Sequence, residues 1–171
     1  MKEVPKEPKK LREGYTTGAC ATAATRAALL TLISGEVQDE STIYLPVGRF
    51  ATFHLEECEY RTSSAVASII KDAGDDPDAT HGALIISEVS WCNGADIIID
   101  GGVGVGRVTK PGLPVPVGEA AINPVPRKML KETAEQLLAE YNIQKGVKIV
   151  ISVPEGEEMA KKTLNARLGI L

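Results

Sequence analysis

The sequence predicts an α+β domain, with a mixed or mostly antiparallel sheet, a buried N-terminal helix and C-terminal helices, and not a Rossmann fold. Three observations lead there. An alanine-rich helical stretch comes early, several stretches of two-residue periodicity then follow with no helix between them, and a helix, a strand and a last helix close the chain. A doubly wound parallel sheet would need strands and helices in strict alternation, which this order lacks.

Residues 1–10, with Pro5, Pro8 and four lysines, have little to bury and are expected to form a mobile tail. Residues 11–171 then make a single domain. The first helix is expected over Gly18–Ser34, with Thr16 or Thr17 as N-cap and Gly35 as the C′ stop. Arg26 is its one charge, so it should be buried, and its alanines allow close backbone approach. Residues 41–47 and 49–56 alternate apolar and polar around Pro46-Val47-Gly48, which predicts a β-hairpin. A strand is expected within Tyr60–Asp72. The runs Gly82–Trp91 and Ala95–Asp100 are β-rich and separated by Cys92-Asn93-Gly94, a hairpin-turn signal. Val125, Met129, Leu130, Ala134, Leu137 and Leu138 fall at helical spacing in Pro124–Tyr141. Gln144–Pro154 should be a strand, and a helix should run from Pro154 or Glu155 to Leu168. The apolar ending Leu164–Leu171 suggests a chain that continues.

Composition narrows the function classes. With 43% hydrophobic and 25% charged residues, 171 residues suffice for a single packed core. No stretch reaches the ~18 consecutive apolar residues of a membrane span, and the charged start is unlike a signal peptide, so a cytoplasmic protein without a membrane partner is expected. A formal charge of -4 argues against nucleic acid. Cys20, Cys58 and Cys92 are too far apart for a metal knuckle or a disulfide framework.

Three segments carry chemistry. The first is Asp100–Arg127, where Gly101, Gly102, Gly104 and Gly106 crowd the start and Arg107, Lys110 and Arg127 follow among prolines. Backbone without Cβ lets a ligand approach closely, and the cations suit carboxylate or phosphate. Gly102 and Gly104 match a dinucleotide-binding loop, but its third glycine falls on Arg107, and Lys110-Pro111-Gly112 stands where a helix should start. Structural turns alone would equally explain the glycines. The second segment is Lys71–Gly82, where Asp72, Asp75, Asp76 and Asp78 lie close together before Thr80 and His81. Crowded carboxylates and a histidine could do acid or base work, or the stretch could be an Asp-Pro turn. The third is Gly14-Tyr15-Thr16-Thr17-Gly18, where a helix N-terminus and two hydroxyls offer donors to an anion.

Taken together, residues 11–24, 71–82 and 101–127 resemble the CbiD family of cobalamin biosynthesis, in the family's order. The resemblance implies a methyltransferase that uses S-adenosylmethionine to methylate C1 of cobalt-precorrin-5B, giving cobalt-precorrin-6A. It further implies an anionic tetrapyrrole substrate that brings its own cobalt, so no protein-bound metal is expected. Thr16, Thr17, Gly102, Gly104 and Gly106 are then candidates to bind the donor, and Arg107, Lys110, Asn123 and Arg127 to bind substrate carboxylates. Asp75, Asp76, Asp78 and His81 become candidates for electrostatic help or proton acceptance. Family members continue past the equivalent of Leu171, so this chain is expected to be the N-terminal portion of a longer one, and a homo-oligomer is compatible with it. The alternative is a non-catalytic module that binds an anionic tetrapyrrole or a nucleotide.

Overall fold

The computed structural model of the chain describes residues 15–71 and 82–154. The expected tail, the expected last helix and the segment containing Asp72, Asp75, Asp76, Asp78 and His81 lie outside these residues. In order, the elements are α1 (Thr17–Ser34), β1 (Glu40–Tyr44), β2 (Phe50–His54), β3 (Glu57–Arg61), β4 (Ser64–Ile70), β5 (Leu84–Cys92), β6 (Ile97–Gly101), α2 (Pro124–Glu140) and β7 (Gly146–Ser152). The architecture is α+β.

α1 forms where its caps place it. The Thr16 hydroxyl accepts a hydrogen bond from the Ala19 N–H, and Gly35 ends the helix at φ 74° while donating its N–H to the Thr31 carbonyl. Fourteen of its eighteen residues are buried, which makes it the central helix of the molecule. It packs against β3, β4 and β5 of the larger sheet and also touches α2 and β1. So much burial obliges its threonines to find partners. Thr22 and Thr31 donate to carbonyls four residues back, at 2.8 and 2.7 Å, and Thr25 shares a 2.7 Å hydrogen bond with Ser87 of β5.

β1 and β2 form a separate antiparallel hairpin, with Ile43 opposite Ala51 and a turn closed by the Leu45 N–H on the Arg49 carbonyl. The larger sheet has the order β3-β4-β5-β7-β6. All its neighbours are antiparallel except β6 and β7, which run parallel and are joined through α2. Ala65, Val89, Ile149 and Ile99 lie level across four strands. Of these, Ala65, Val89 and Ile149 are fully buried in the core with Leu29, Leu130, Val147 and Ile151.

Two expectations need correction. The single strand expected within Tyr60–Asp72 is the second half of a hairpin, whose turn uses Thr62 at φ 54°. β3 escaped notice because it is an edge strand carrying Glu57, Glu59 and Arg61, and an edge needs no apolar alternation. The Cys92-Asn93-Gly94 turn does not make a hairpin of β5 and β6, because β7 lies between them. Its carbonyls are taken by the incoming strand: Gly146 donates to Gly94 at 2.7 Å, and Val147 to Asp96 at 3.1 Å. A Cβ at Gly146 would lie 2.6 Å from the Asp96 oxygen, so only glycine lets β7 start there.

Candidate functional site

The glycine-rich segment begins where β6 ends. Gly101 still pairs with Ile151 of β7, and Gly102 donates its N–H to the Ile151 carbonyl at 2.8 Å. A Cβ at Gly101 would meet the Val105 side chain at 2.6 Å, and one at Gly102 would strike the Ser152 hydroxyl. Both glycines are therefore demanded by packing. Gly104 is needed for another reason, since it turns the chain at φ 76°. Gly106 accepts a hydrogen bond from the Ala121 N–H.

Beyond Gly106 the chain runs out and returns upon itself. Arg107 bridges to Ala120, Val108 donates to Glu119 at 3.0 Å, and Gly118 donates to Val108 at 2.8 Å. Val108, Val115 and Ala121 form a small buried cluster beneath the return. The tip between them carries Lys110, Leu113 and Val117, all exposed. Lys110 makes no ion pair with a described residue.

The two arginines behave differently from Lys110. Arg107 pairs with Asp100 at 2.9 Å and also donates to the Gly118 carbonyl at 3.3 Å, yet its side chain is half exposed. Arg127 is turned inward. It donates to the Ile122 carbonyl at 2.7 Å and to the Ala120 carbonyl at 2.6 Å, with Glu119 at 3.8 Å.

Asp100 is the residue that inspection of the motif overlooked. Its carboxylate accepts the Gly101 N–H at 2.8 Å. That hydrogen bond first, and then Arg107, hold its pKa below the usual carboxylate value against the opposing effect of burial. A depressed carboxylate stabilises the fold above the unfolded value of about 3.9, and that contribution is lost as pH falls through the folded value. Asp100→Asn is therefore expected to be less stable than the parent at pH 7 in urea titrations, with the gap narrowing at acid pH once the carboxylate is protonated in the folded state. A gap of equal size at both pH values would show that the charge is not what stabilises.

The N-terminus of α1 meets this segment. At Gly18 a Cβ would lie 2.9 Å from Pro126, so the first turns of α1 and α2 touch and Gly18 permits the contact. Thr16 serves as cap, whereas Thr17, only 8% exposed, takes part in none of the side-chain hydrogen bonds among the described residues. Asn123 starts α2 without a capping bond from its side chain. Pro124 and Pro126 have no N–H, which leaves α2 a poorer anion site than α1.

The strand registers also place the second motif's root. Ile70 lies opposite Leu84 and the Lys71 N–H bonds the Ala83 carbonyl, at the same end of the sheet where β6 releases the glycines. Thr16, Thr17, Gly102, Gly104, Gly106, Arg107, Lys110, Asn123 and Arg127 thus belong to connected structure. Asp75, Asp76, Asp78 and His81 lie outside the described residues. Among the described residues no group of three or more His, Cys, Asp or Glu side chains is placed to hold a metal ion. Nor is any described helix long and apolar enough to cross a membrane.

Comparison with known proteins bears on the same segments. The CbiD family model matches residues 4–171. A cobalt-precorrin-5B C(1)-methyltransferase of Priestia megaterium is 98% identical over all 171 residues, which make up 47% of that protein. One from Geobacillus sp. (strain WCH70) is 69% identical over 163 residues, covering 95% of this chain and 45% of its own. A crystal structure of a cobalamin biosynthesis protein from Archaeoglobus fulgidus superposes with a TM-score of 0.66 at 32% identity, over 94% of this chain and 50% of that one. The chain spans about half the length of the curated relatives it matches.

Proposed function

The chain belongs to the CbiD family, and on that premise we propose that the protein of which it forms part methylates C1 of cobalt-precorrin-5B to give cobalt-precorrin-6A. The observation that supports a ligand site within this chain is the meeting of the α1 N-terminus with the first turn of α2 at Pro126, where the Thr17 hydroxyl has no described partner.

The methyl donor in this proposal is S-adenosylmethionine, which supplies a methyl group on a sulfonium that becomes a neutral thioether as the carbon–sulfur bond breaks. The residues present suit such a molecule. The free N–H groups at the start of α1 and the hydroxyl of Thr17 would receive its carboxylate. Thr16 holds that turn in shape, and Gly104 and Gly106 would let the donor lie against backbone, whereas the Cβ position of Gly102 is already filled by Ser152. Lys110 and Arg107, with Asn123, would receive the acetate and propionate groups of the macrocycle. Asp75, Asp76, Asp78 and His81 would supply electrostatic help or accept a proton that the macrocycle gives up elsewhere as C1 becomes quaternary. Catalysis then rests chiefly on orienting donor and acceptor. Cobalt is cargo of the substrate in this scheme, and a cytoplasmic setting is part of the proposal.

Calorimetry on a full-length family member should show binding of S-adenosylmethionine, followed by transfer of its labelled methyl group to the corrinoid. Binding of the corrinoid with no uptake of donor would favour the non-catalytic module instead. The 171-residue chain is expected to bind the donor more weakly than the full-length protein.

A further inference from the structure

We infer that Arg127 is a positioning residue, one that latches the return strand Gly118–Ile122 and so sets where Lys110 stands, and that it is not a ligand of the macrocycle. The inference rests on the function proposed above only in what the tip is for; the latch is visible without it. Ala120 and Ile122 are buried, at 2% and 0% exposure, so their carbonyls cannot rely on water for hydrogen bonds. Their strand uses its other edge to pair with residues 106–108. On the remaining edge Arg127 supplies a planar fork, Nε to Ile122 and Nη2 to Ala120, whose carbonyl also accepts the Ile122 N–H at 2.7 Å, while Arg107 reaches Gly118. The guanidinium stands where a neighbouring strand would otherwise be.

Placement on the helix points the same way. Arg127 lies in the first turn of α2, which contains no acidic residue, and a cation there is disfavoured by the helix dipole. Donation to two carbonyls offsets that cost. Two of its five N–H groups are engaged by carbonyls, Nη2 also lies 3.8 Å from the Glu119 carboxylate and the side chain is 23% exposed, so a carboxylate from solution would compete with partners the guanidinium already has. Lys110, seventeen residues earlier in the chain, is exposed and makes no ion pair with a described residue.

Two variants test this. Arg127→Met keeps the apolar stem and removes every donor, and Arg127→Lys keeps the charge and loses the fork. By amide hydrogen exchange on this chain, Val108 and Ala121 are expected to exchange about tenfold faster or more in Arg127→Met, with Val89 and Ile149 unchanged and Arg127→Lys in between. In a full-length family protein carrying this segment, Arg127→Met should weaken the corrinoid by displacing Lys110, and should therefore cost little further affinity in a Lys110→Gln background. Unchanged exchange at Val108 and Ala121, or an undiminished loss of corrinoid affinity in the Lys110→Gln background, would overturn the inference. Should the unsubstituted full-length protein bind neither molecule, the proposed function falls while the exchange rates still decide the latch. If Arg127→Met does not fold, Arg127→Lys provides the same comparison.

Discussion

Gly101→Ala is expected to destabilise the chain by about 1–3 kcal/mol, the usual range for forcing atoms into a packed site. The new Cβ would lie 2.6 Å from Val105 Cγ1, 3.0 Å from Val105 Cβ and 3.1 Å from Ala120 Cβ. Gly101 cannot retreat, because it is held in the ladder opposite Ile151. Val105 cannot retreat easily either, since its N–H is bonded to the Gly102 carbonyl. A double-mutant cycle isolates the contact. Adding Val105→Ala removes the atom that collides worst, so the double variant should be more stable than the sum of the two single losses allows. Strict additivity in chemical denaturation would mean that the collision is relieved elsewhere, and that Gly101 serves backbone freedom alone.

The second large effect concerns binding. Lys110→Glu should leave the stability of the chain within about 0.5 kcal/mol, because the side chain is exposed and has no described partner. In a full-length family protein the same change should weaken the corrinoid by tenfold or more, since it replaces a charge-assisted hydrogen bond with repulsion. Lys110→Gln should fall between the two, and added salt should narrow all the differences. Equal affinity of the parent and Lys110→Glu for the corrinoid, measured at low ionic strength, would remove Lys110 from the site.

Much of the fold was legible because the residues that decide it act locally. Thr16 and Gly35 mark the ends of α1, and the apolar spacing from Val125 to Leu138 marks α2. The choice of an α+β fold with a mixed sheet followed from element order alone and holds in the structure. Where the reading failed, the deciding partner was remote. Cys92-Asn93-Gly94 is turn chemistry whichever strand lies next to β5, and nothing local reveals that β7 will enter between β5 and β6. Thr62 in a left-handed conformation at a hairpin turn is equally unannounced, because glycine or asparagine is the usual residue there.

At the site, the glycines were recognised as unusual, but their reasons differ from one to the next. Gly101 and Gly102 answer to side chains from Val105 and Ser152, and Gly104 answers to a turn. Sequence also shows that an arginine is present without showing which of its donors are already in use. Arg107 and Arg127 looked alike for that reason, although one pairs with Asp100 at the surface and the other is directed at backbone carbonyls.

The position of β7 has a consequence for how the protein is made. A chain emerging from the ribosome completes β5 and β6 some fifty residues before β7 appears, and β7 is the strand that must lie between them. Throughout that interval two edges rich in isoleucine and valine have no partner, and such edges invite pairing with other chains. The antiparallel part from β3 to β5 can form early from near neighbours, whereas the parallel pair must wait for the whole crossover through α2. Translation speed between Gly101 and Ser152 therefore sets how long those edges stay open.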